Sequence, residues 1–292
     1  MKSRGRIGPG SRVVVTGASG FLGRHLVESL KHCGAEVIEA SRRTGFRLLE
    51  DDLALDGVEH VFHLAAETGV ADAWRDVASF HLINTHGTVR ILEQCRLAGC
   101  SMTYLGAYIY GAPDRLPIAE GDRVRANNPY AFSKWMGEES CRWYADTFGV
   151  PITAIRLFNV YGRGQSNRFL IPRIVEQVLD PAVDSIELLD LEPRRDYIYV
   201  SDVIQALLAS LPEAGFQVFN VGSGRSWSVG EVVERIQHVA GTNKPVLDRK
   251  QKRQNEIPDT VADIHRITAA CGWKPIVTLE AGIEELVMDL RK

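Results

Sequence analysis

The sequence predicts an α/β protein: a doubly wound parallel sheet followed by a smaller C-terminal region that closes over a substrate. Two observations carry this. Short apolar, β-branched runs alternate with helical periodicities along the chain, and a glycine-rich turn joins the first run to the first helix.

The opening unit lies in Arg12 to Leu30. Val13, Val14 and Val15 form the short apolar run that a buried parallel strand needs, and Thr16 ends it. Gly17-Ala18-Ser19-Gly20-Phe21-Leu22-Gly23 then turns the chain into a helix, Gly20–Leu30, with Leu22, Leu26, Val27 and Leu30 on one face. In this GxxGxxG spacing the first glycine allows the tight turn, the second lets a pyrophosphate approach the backbone, and the third lets helix pack on strand. The free N–H groups at the helix start supply the anion site. A dinucleotide is therefore expected on Gly17, Ser19, Gly20, Phe21, Leu22 and Gly23.

A second strand, Glu36–Ala40, ends beside the expected adenosine ribose. An acidic side chain there would favour NAD. Here the stretch is Ser41-Arg42-Arg43, whose guanidiniums and hydroxyl suit a 2′-phosphate. NADP(H) is favoured, and NAD(H) stays possible. A solvated basic loop is the plainer reading of the same residues, and Glu39 turned inward would restore an acidic partner.

The next strands are His60–Leu64, Ser101–Leu105, Ile152–Leu157 and Tyr197–Val200. Helices His81–Leu97 and Tyr130–Phe148 carry apolar faces (Leu82, Val89, Leu92 and Trp135, Cys141, Tyr144), and Leu49–Val58 leaves little room for a crossover helix. After Tyr161 the pattern changes. Phe169–Leu179, Val229–Ala240 and Val277–Leu290 read as helices, and Phe219-Asn220-Val221-Gly222-Ser223-Gly224 marks another crossing. We expect a dinucleotide domain over 11–160 with a returning segment near 187–220, and a smaller substrate region from 161–186 and 221–292, with the site in the cleft between them.

With 292 residues, 45% hydrophobic content and a net charge of −3, the chain can bury a large core and shows no bias toward nucleic acid. No apolar stretch reaches the length of a membrane span, and Met1–Gly10 lacks the hydrophobic core of an export signal. Cys33, Cys95, Cys100, Cys141 and Cys271 are scattered and odd in number, which argues for free thiols in a reducing compartment. A cytoplasmic location is expected. His60, His63, His81 and His86 form no HExxH or Cys/His pattern, so core or surface roles are expected for them and no metal.

Tyr130 and Lys134, in Tyr-Ala-Phe-Ser-Lys, fall on one helical face and reach one substrate. A lysine charge beside the tyrosine would lower its pKa from near 10 and make it a usable acid or base, while the lysine also holds a nicotinamide ribose. Joined to the upstream turn, this dyad points to hydride transfer between a carbonyl and a carbinol.

At this point the chain resembles the extended short-chain dehydrogenase/reductases, specifically the Rossmann-fold nucleotide-sugar epimerases, dehydratases and 4-ketoreductases. The resemblance spans nearly the whole sequence. Its carriers are the glycine turn, His63-Leu64-Ala65-Ala66, Asn84-Thr85-His86-Gly87-Thr88, Tyr110-Gly111, Tyr130/Lys134, Arg156-Leu157-Phe158-Asn159-Val160-Tyr161-Gly162, Arg195-Asp196-Tyr197 and Asn220-Val221-Gly222-Ser223-Gly224. It implies further cofactor contacts at Asp52, Leu53, Leu64, Ala65, Ala66 and Asn84. It also implies a nucleotide-sugar substrate whose diphosphate lies among Asn159, Arg195 and Arg253, with Arg168 added from its loop. The plainer readings are a salt bridge of Arg195 with Asp196 or Asp202 and a solvated Arg253. Helices His81–Leu97 and Tyr130–Phe148 match those that pair subunits in this family, implying a homodimer.

One position departs from the family. A serine or threonine normally stands four residues before the tyrosine matching Tyr110, and here it is Gly106. Thr103 or a water in its place, a strand end one residue shorter, or an impaired enzyme would each explain this. The Asp-Glu pair of the 4,6-dehydratases is Ala107-Tyr108 here, and the cysteine of the C3/C5 epimerases is Tyr108. Simple hydride transfer survives: an NADPH-dependent 4-ketoreductase of a nucleotide 4-keto-6-deoxyhexose, alternatively an NAD-dependent 4-epimerase, or a non-catalytic NADP(H)-binding regulator. Leu105, Glu67, Thr68 and Phe169 are further candidates for the sugar pocket.

Overall fold

The computed structural model describes residues 7–252 and 255–291. Its strands are β1 Arg12–Thr16, β2 Glu36–Ala40, β3 His60–His63, β4 Ser101–Leu105, β5 Ile152–Leu157, β6 Asn159–Tyr161, β7 Ile186–Leu188, β8 Arg194–Tyr199, β9 Phe216–Val221, β10 Ser226–Ser228 and β11 Val246–Asp248. The helices are α1 Phe21–His32, α2 Val70–Arg75, α3 Val77–His81, α4 Gly87–Ala98, α5 Pro129–Phe148, α6 Leu170–Leu179, α7 Val200–Ala209, α8 Val229–Ala240, α9 His265–Cys271 and α10 Leu279–Leu290.

Six strands pair in parallel in the order β2-β1-β3-β4-β5-β9. Alternation along β1 separates the two layers. Val13 and Val15 pack with Leu26 and Leu30 of α1 and Val203 and Leu207 of α7, while Val14 faces Ile91 and Leu92 of α4 and Cys141 and Tyr144 of α5. Burial on both faces explains the unbroken apolar runs. Thr16 lies level with Ala40 on one side and His63 on the other, so the ends of β2, β1 and β3 open together where the strand order reverses. Ligands of open α/β sheets bind at that reversal.

The expected crossing at Phe219 is β9, the sixth strand of this sheet. The strand expected over Tyr197–Val200 runs from Arg194 to Tyr199 and belongs instead to a small sheet of order β10-β8-β6, beside a β11-β7 pair. Of the segment near 187–220, α7 and β9 therefore return to the large sheet and β8 does not. Around the small sheets, Ile174 of α6, Val232 and Ile236 of α8 and Ile283 of α10 form a second core. Between β2 and β3 the only helical piece is the short turn Arg42–Thr44, as the brevity of that stretch implies. The stretch His81–Leu97, expected as one helix, is helical throughout but not uniformly wound: α3 ends at His81, Leu82–His86 forms one wide π turn, and α4 begins at Gly87. Periodicity alone cannot register one extra residue in a turn. No helix of the described residues is long and apolar enough to cross a membrane.

A buried ion pair ties the layers together. Arg156 of β5 donates from Nε and Nη2 to the carboxylate of Glu138 on α5, the shortest contact being 2.6 Å. Its Nη1 donates to the Tyr110 hydroxyl (2.8 Å) and the Glu120 carbonyl (2.9 Å). Tyr110 in turn donates to Asn220 of β9 (2.6 Å). Glu138 is 1% exposed and Arg156 3%, so neither charge has water to fall back on. Removing one partner of such a pair costs about 3–5 kcal/mol. Glu138→Ala should lower unfolding free energy by about that amount in urea titrations, and a loss under about 1 kcal/mol would show that the pair does not hold α5.

Candidate active site

The glycine turn has the shape its spacing requires. Gly17 has φ +68°, and a Cβ there would lie 2.8 Å from the Ala65 nitrogen; one on Gly23 would lie 2.2 Å from the Gly17 carbonyl oxygen. Turn, helix and the Leu64-Ala65-Ala66 loop are thus in backbone contact, a cradle that any side chain would fill. No side chain caps α1 at Gly20, which leaves its first amides, from Phe21 onward, to an anion beside Ser19. These residues fit a dinucleotide pyrophosphate.

Around the ribose end, Ser41 is buried and bonded into its own turn through Thr44. Arg42 pairs with Glu67 at 3.2 Å, and Arg43 is exposed. Glu39, the possible acidic partner, pairs with Lys31 at 2.7 Å. Asp52 faces Arg90 of α4 (3.2 Å), and the Leu53 N–H donates to Gln94 (2.6 Å).

Asn84 sits on the π turn and is fully buried. Its amide oxygen accepts from the Glu67 N–H (2.8 Å), and its nitrogen donates to the Glu67 carbonyl and to Ser133 Oγ, both at 3.0 Å. These bonds tie the loop at Glu67 to the start of α5. A hydrogen-bonded ladder continues from Asn84. Asn84 O accepts from Thr88, Thr88 meets His63 Nε2 (3.0 Å), and His63 Nδ1 meets Thr16 (2.8 Å). Ser133 donates to the Tyr130 carbonyl (2.9 Å), so the ladder runs from the end of β1 to the dyad. Burial pushes His63 down to about 3, which keeps its ring neutral.

The dyad stands at the start of α5, which Asn128 caps by accepting from the Ala131 N–H (2.9 Å), with Pro129 in its first turn. Tyr130 is half-buried, edge-on to Phe80. Lys134 is 3% exposed, with Nζ 4.4 Å from the Tyr104 ring centroid. The electrostatics correct the expectation that the lysine charge lowers the tyrosine. Burial pushes Tyr130 up to about 12 and Lys134 down to about 7. Desolvation is the largest cause for each group and acts against its charged form. Tyr130 is therefore protonated at neutral pH, and Lys134 is charged only in part.

Gly106 ends β4 against β5. A Cβ there would lie 2.8 Å from the Ile155 carbonyl oxygen, so the missing hydroxyl reflects a closer approach of two backbones. Thr103 does not replace it: its hydroxyl is bonded to His60 Nε2 (2.9 Å) and it alternates along β4 with Tyr104, which borders Lys134. Nor is the strand shorter, since β4 reaches Leu105. Tyr108 packs on Phe158 and donates to the Gly111 carbonyl (2.5 Å).

Of the residues expected at the diphosphate, Asn159 is exposed on β6, level with Tyr197. Arg168 is paired with Asp72 of α2. Arg195 pairs with neither Asp196 nor Asp202. Its partner is Glu256, and its Nη1 donates to the carbonyls of Arg194 (2.7 Å) and Ile257 (2.6 Å). Asp196 instead accepts from the N–H groups of Ser223, Gly224 and Ala262, and Asp202 from those of Ile276 and Val277. Arg253 lies outside the described residues.

A nucleotide-binding crevice beside a Tyr/Lys dyad defines an oxidoreductase of the Rossmann class, and comparison with known proteins narrows it. Residues 13–222 match the NAD dependent epimerase/dehydratase family, and the chain belongs to it. It is thus of the extended short-chain dehydrogenase/reductase type, an NAD(P)-dependent nucleotide-sugar reductase or epimerase in kind. It is 31% identical to GDP-6-deoxy-D-mannose reductase of Pseudomonas aeruginosa over 95% of this chain and 96% of that one. Its structure matches MoeE5 in complex with UDP-glucose and NAD, with a TM-score of 0.88, 30% identity and coverage of 96% and 99% of the two chains. It also matches RMD from Pseudomonas aeruginosa complexed with NADPH, with a TM-score of 0.81, 30% identity and coverage of 96% and 98%.

Sequence reasoning missed Glu138, Arg156 and the Thr16–His63–Thr88 ladder as organisers of the site. Glu138 had a signal: it continues the Tyr130, Lys134 spacing by one more helical turn. The crowding at Gly106 yields a test. Gly106→Ser should not raise turnover and should cost about 1–3 kcal/mol of stability through overpacking. A stable and faster Gly106→Ser variant would mean that the strand end moves freely and that a hydroxyl is what the site lacks.

Proposed function

We propose that the protein is an NADP(H)-dependent oxidoreductase of nucleotide-linked sugars, a 4-ketoreductase acting on a nucleotide 4-keto-6-deoxyhexose. The observation that carries this reading is the Tyr130/Lys134 pair at the start of α5, tied through Ser133 and Asn84 to the loop beside the glycine turn, with Arg42 and Arg43 following β2. In the reducing direction the Tyr130 phenol is the proton donor.

In this reading Gly17 to Gly23 hold the pyrophosphate and Arg42 and Arg43 take the 2′-phosphate. When bound, the cofactor supplies hydride to the carbonyl carbon. Tyr130 Oη delivers the proton to the carbonyl oxygen, Lys134 orients the nicotinamide ribose, and Asn159, Arg195, Arg168 and Arg253 face the sugar's diphosphate. The strand end after β4 carries Ala107 and Tyr108 where an elimination would need carboxylates. The substrate region is assigned to 161–186 and 221–292, and free thiols fit a cytoplasmic location.

The second reading, an NAD-dependent 4-epimerase, draws support from the likeness to MoeE5 and from the engagement of Arg42 by Glu67. The experiment is to follow loss of reduced-nicotinamide absorbance with a panel of nucleotide 4-keto-6-deoxy sugars. Stoichiometric NADPH consumption is expected, falling about 10²–10⁴-fold in Tyr130→Phe. No consumption, with cofactor retained through purification, would favour the epimerase or a non-catalytic binder.

A homodimer completes the proposal. Phe132, Met136 and Trp143 form an exposed stripe on α5, and Leu97 is exposed on α4. Analytical sedimentation should find twice 32.4 kDa, and a single species at the chain mass would defeat this pairing.

A further inference from the structure

The contact between Arg42 and Glu67 joins two loops that flank the glycine turn. Arg42 follows β2, Glu67 lies on the loop after β3, and β1 with its glycine turn stands between them. Neighbouring strands lie about 4.8 Å apart, so the pair joins loops that leave the sheet two such spacings apart. Its two members are held differently. The Arg42 side chain is 86% exposed and free to swing, whereas Glu67 is fastened by its backbone, with N–H and carbonyl both bonded to the buried Asn84. Glu67 is therefore anchored at its backbone, with its carboxylate 3.2 Å from the guanidinium that a ribose 2′-phosphate would need.

We propose that Glu67 sets the strength of the cofactor preference by competing with the 2′-phosphate for Arg42. This rests on the reading of Arg42 as the 2′-phosphate residue. A guanidinium that turns from Glu67 to a phosphate gives up one charge-assisted contact to gain another, and leaves a carboxylate near a dianion. NADPH meets that cost in full. NADH brings a ribose hydroxyl in place of the phosphate and offers Arg42 no competing anion, so the guanidinium stays available to Glu67. The residue that favours the phosphorylated cofactor is thus opposed by a second residue in the same crevice, and the protein accepts both cofactors with a moderate preference for NADPH.

The test measures NADPH and NADH dissociation constants by fluorescence titration of the purified full chain, for the parent, Glu67→Gln and Arg42→Ala. Glu67→Gln keeps the backbone bonds to Asn84 and removes only the charge. It should tighten NADPH about threefold to tenfold and move NADH less than about twofold, with the gain fading as salt rises. Arg42→Ala should weaken NADPH alone. If Arg42→Ala weakens NADPH while Glu67→Gln leaves the NADPH/NADH ratio unchanged, the competition is refuted and the assignment of Arg42 stands. If neither variant changes the ratio, the assignment of Arg42 and the competition fall together.

Discussion

The site depends on burying the polar face of one helix. The helix from Pro129 to Phe148 presents Ser133, Lys134 and Glu138 to the interior, all 3% exposed or less. Such a face is tolerable only if each polar group finds a partner. Glu138 finds Arg156, Ser133 finds Asn84, and Lys134 lies over the Tyr104 ring. Each partner comes from a different part of the large-sheet region: a central strand, the π turn and the neighbouring strand. Satisfying the helix therefore fixes the site, because the groups that stabilise it also orient the dyad.

The same burial sets the chemistry. In water a lysine beside a tyrosine would act through its charge; here desolvation affects both groups and leaves the phenol as the proton holder. The polar ladder through Thr16, His63, Thr88 and Asn84 carries no net charge, since His63 is neutral. It aligns the glycine turn with the helix without adding a field that would disturb the dyad. Positioning and electrostatics are thus handled by separate groups.

Much of this was legible in the sequence because it rests on local pattern. The glycine turn needs particular residues at particular spacings, and a strand buried on both faces shows as an apolar run. The parallel sheet and five of its strands were readable within a residue at each end. What escaped depends on contacts distant in sequence. Arg195 was expected at the substrate diphosphate, with Asp196 or Asp202 as the alternative partner, and it pairs with Glu256, which lies beyond α7, β9, β10, α8 and β11. Gly106 read as a lost hydroxyl, and only the neighbouring strand reveals why a side chain has no room there. The small sheet claimed a strand whose composition suits either sheet.

The π turn at Leu82–His86 has a consequence for how the chain can vary in length. A regular helix advances about 100° per residue, so the phase between the helices on either side is stored in one extra residue. Its deletion would restore a regular helix and rotate the preceding segment by that angle. Phe80 would leave the edge of Tyr130, and Asn84 could no longer face both Glu67 and Ser133. Surface loops absorb insertions and deletions by bulging. This turn, anchored by the buried Asn84, behaves as a counted spacer in which residue number matters more than residue identity at its exposed positions.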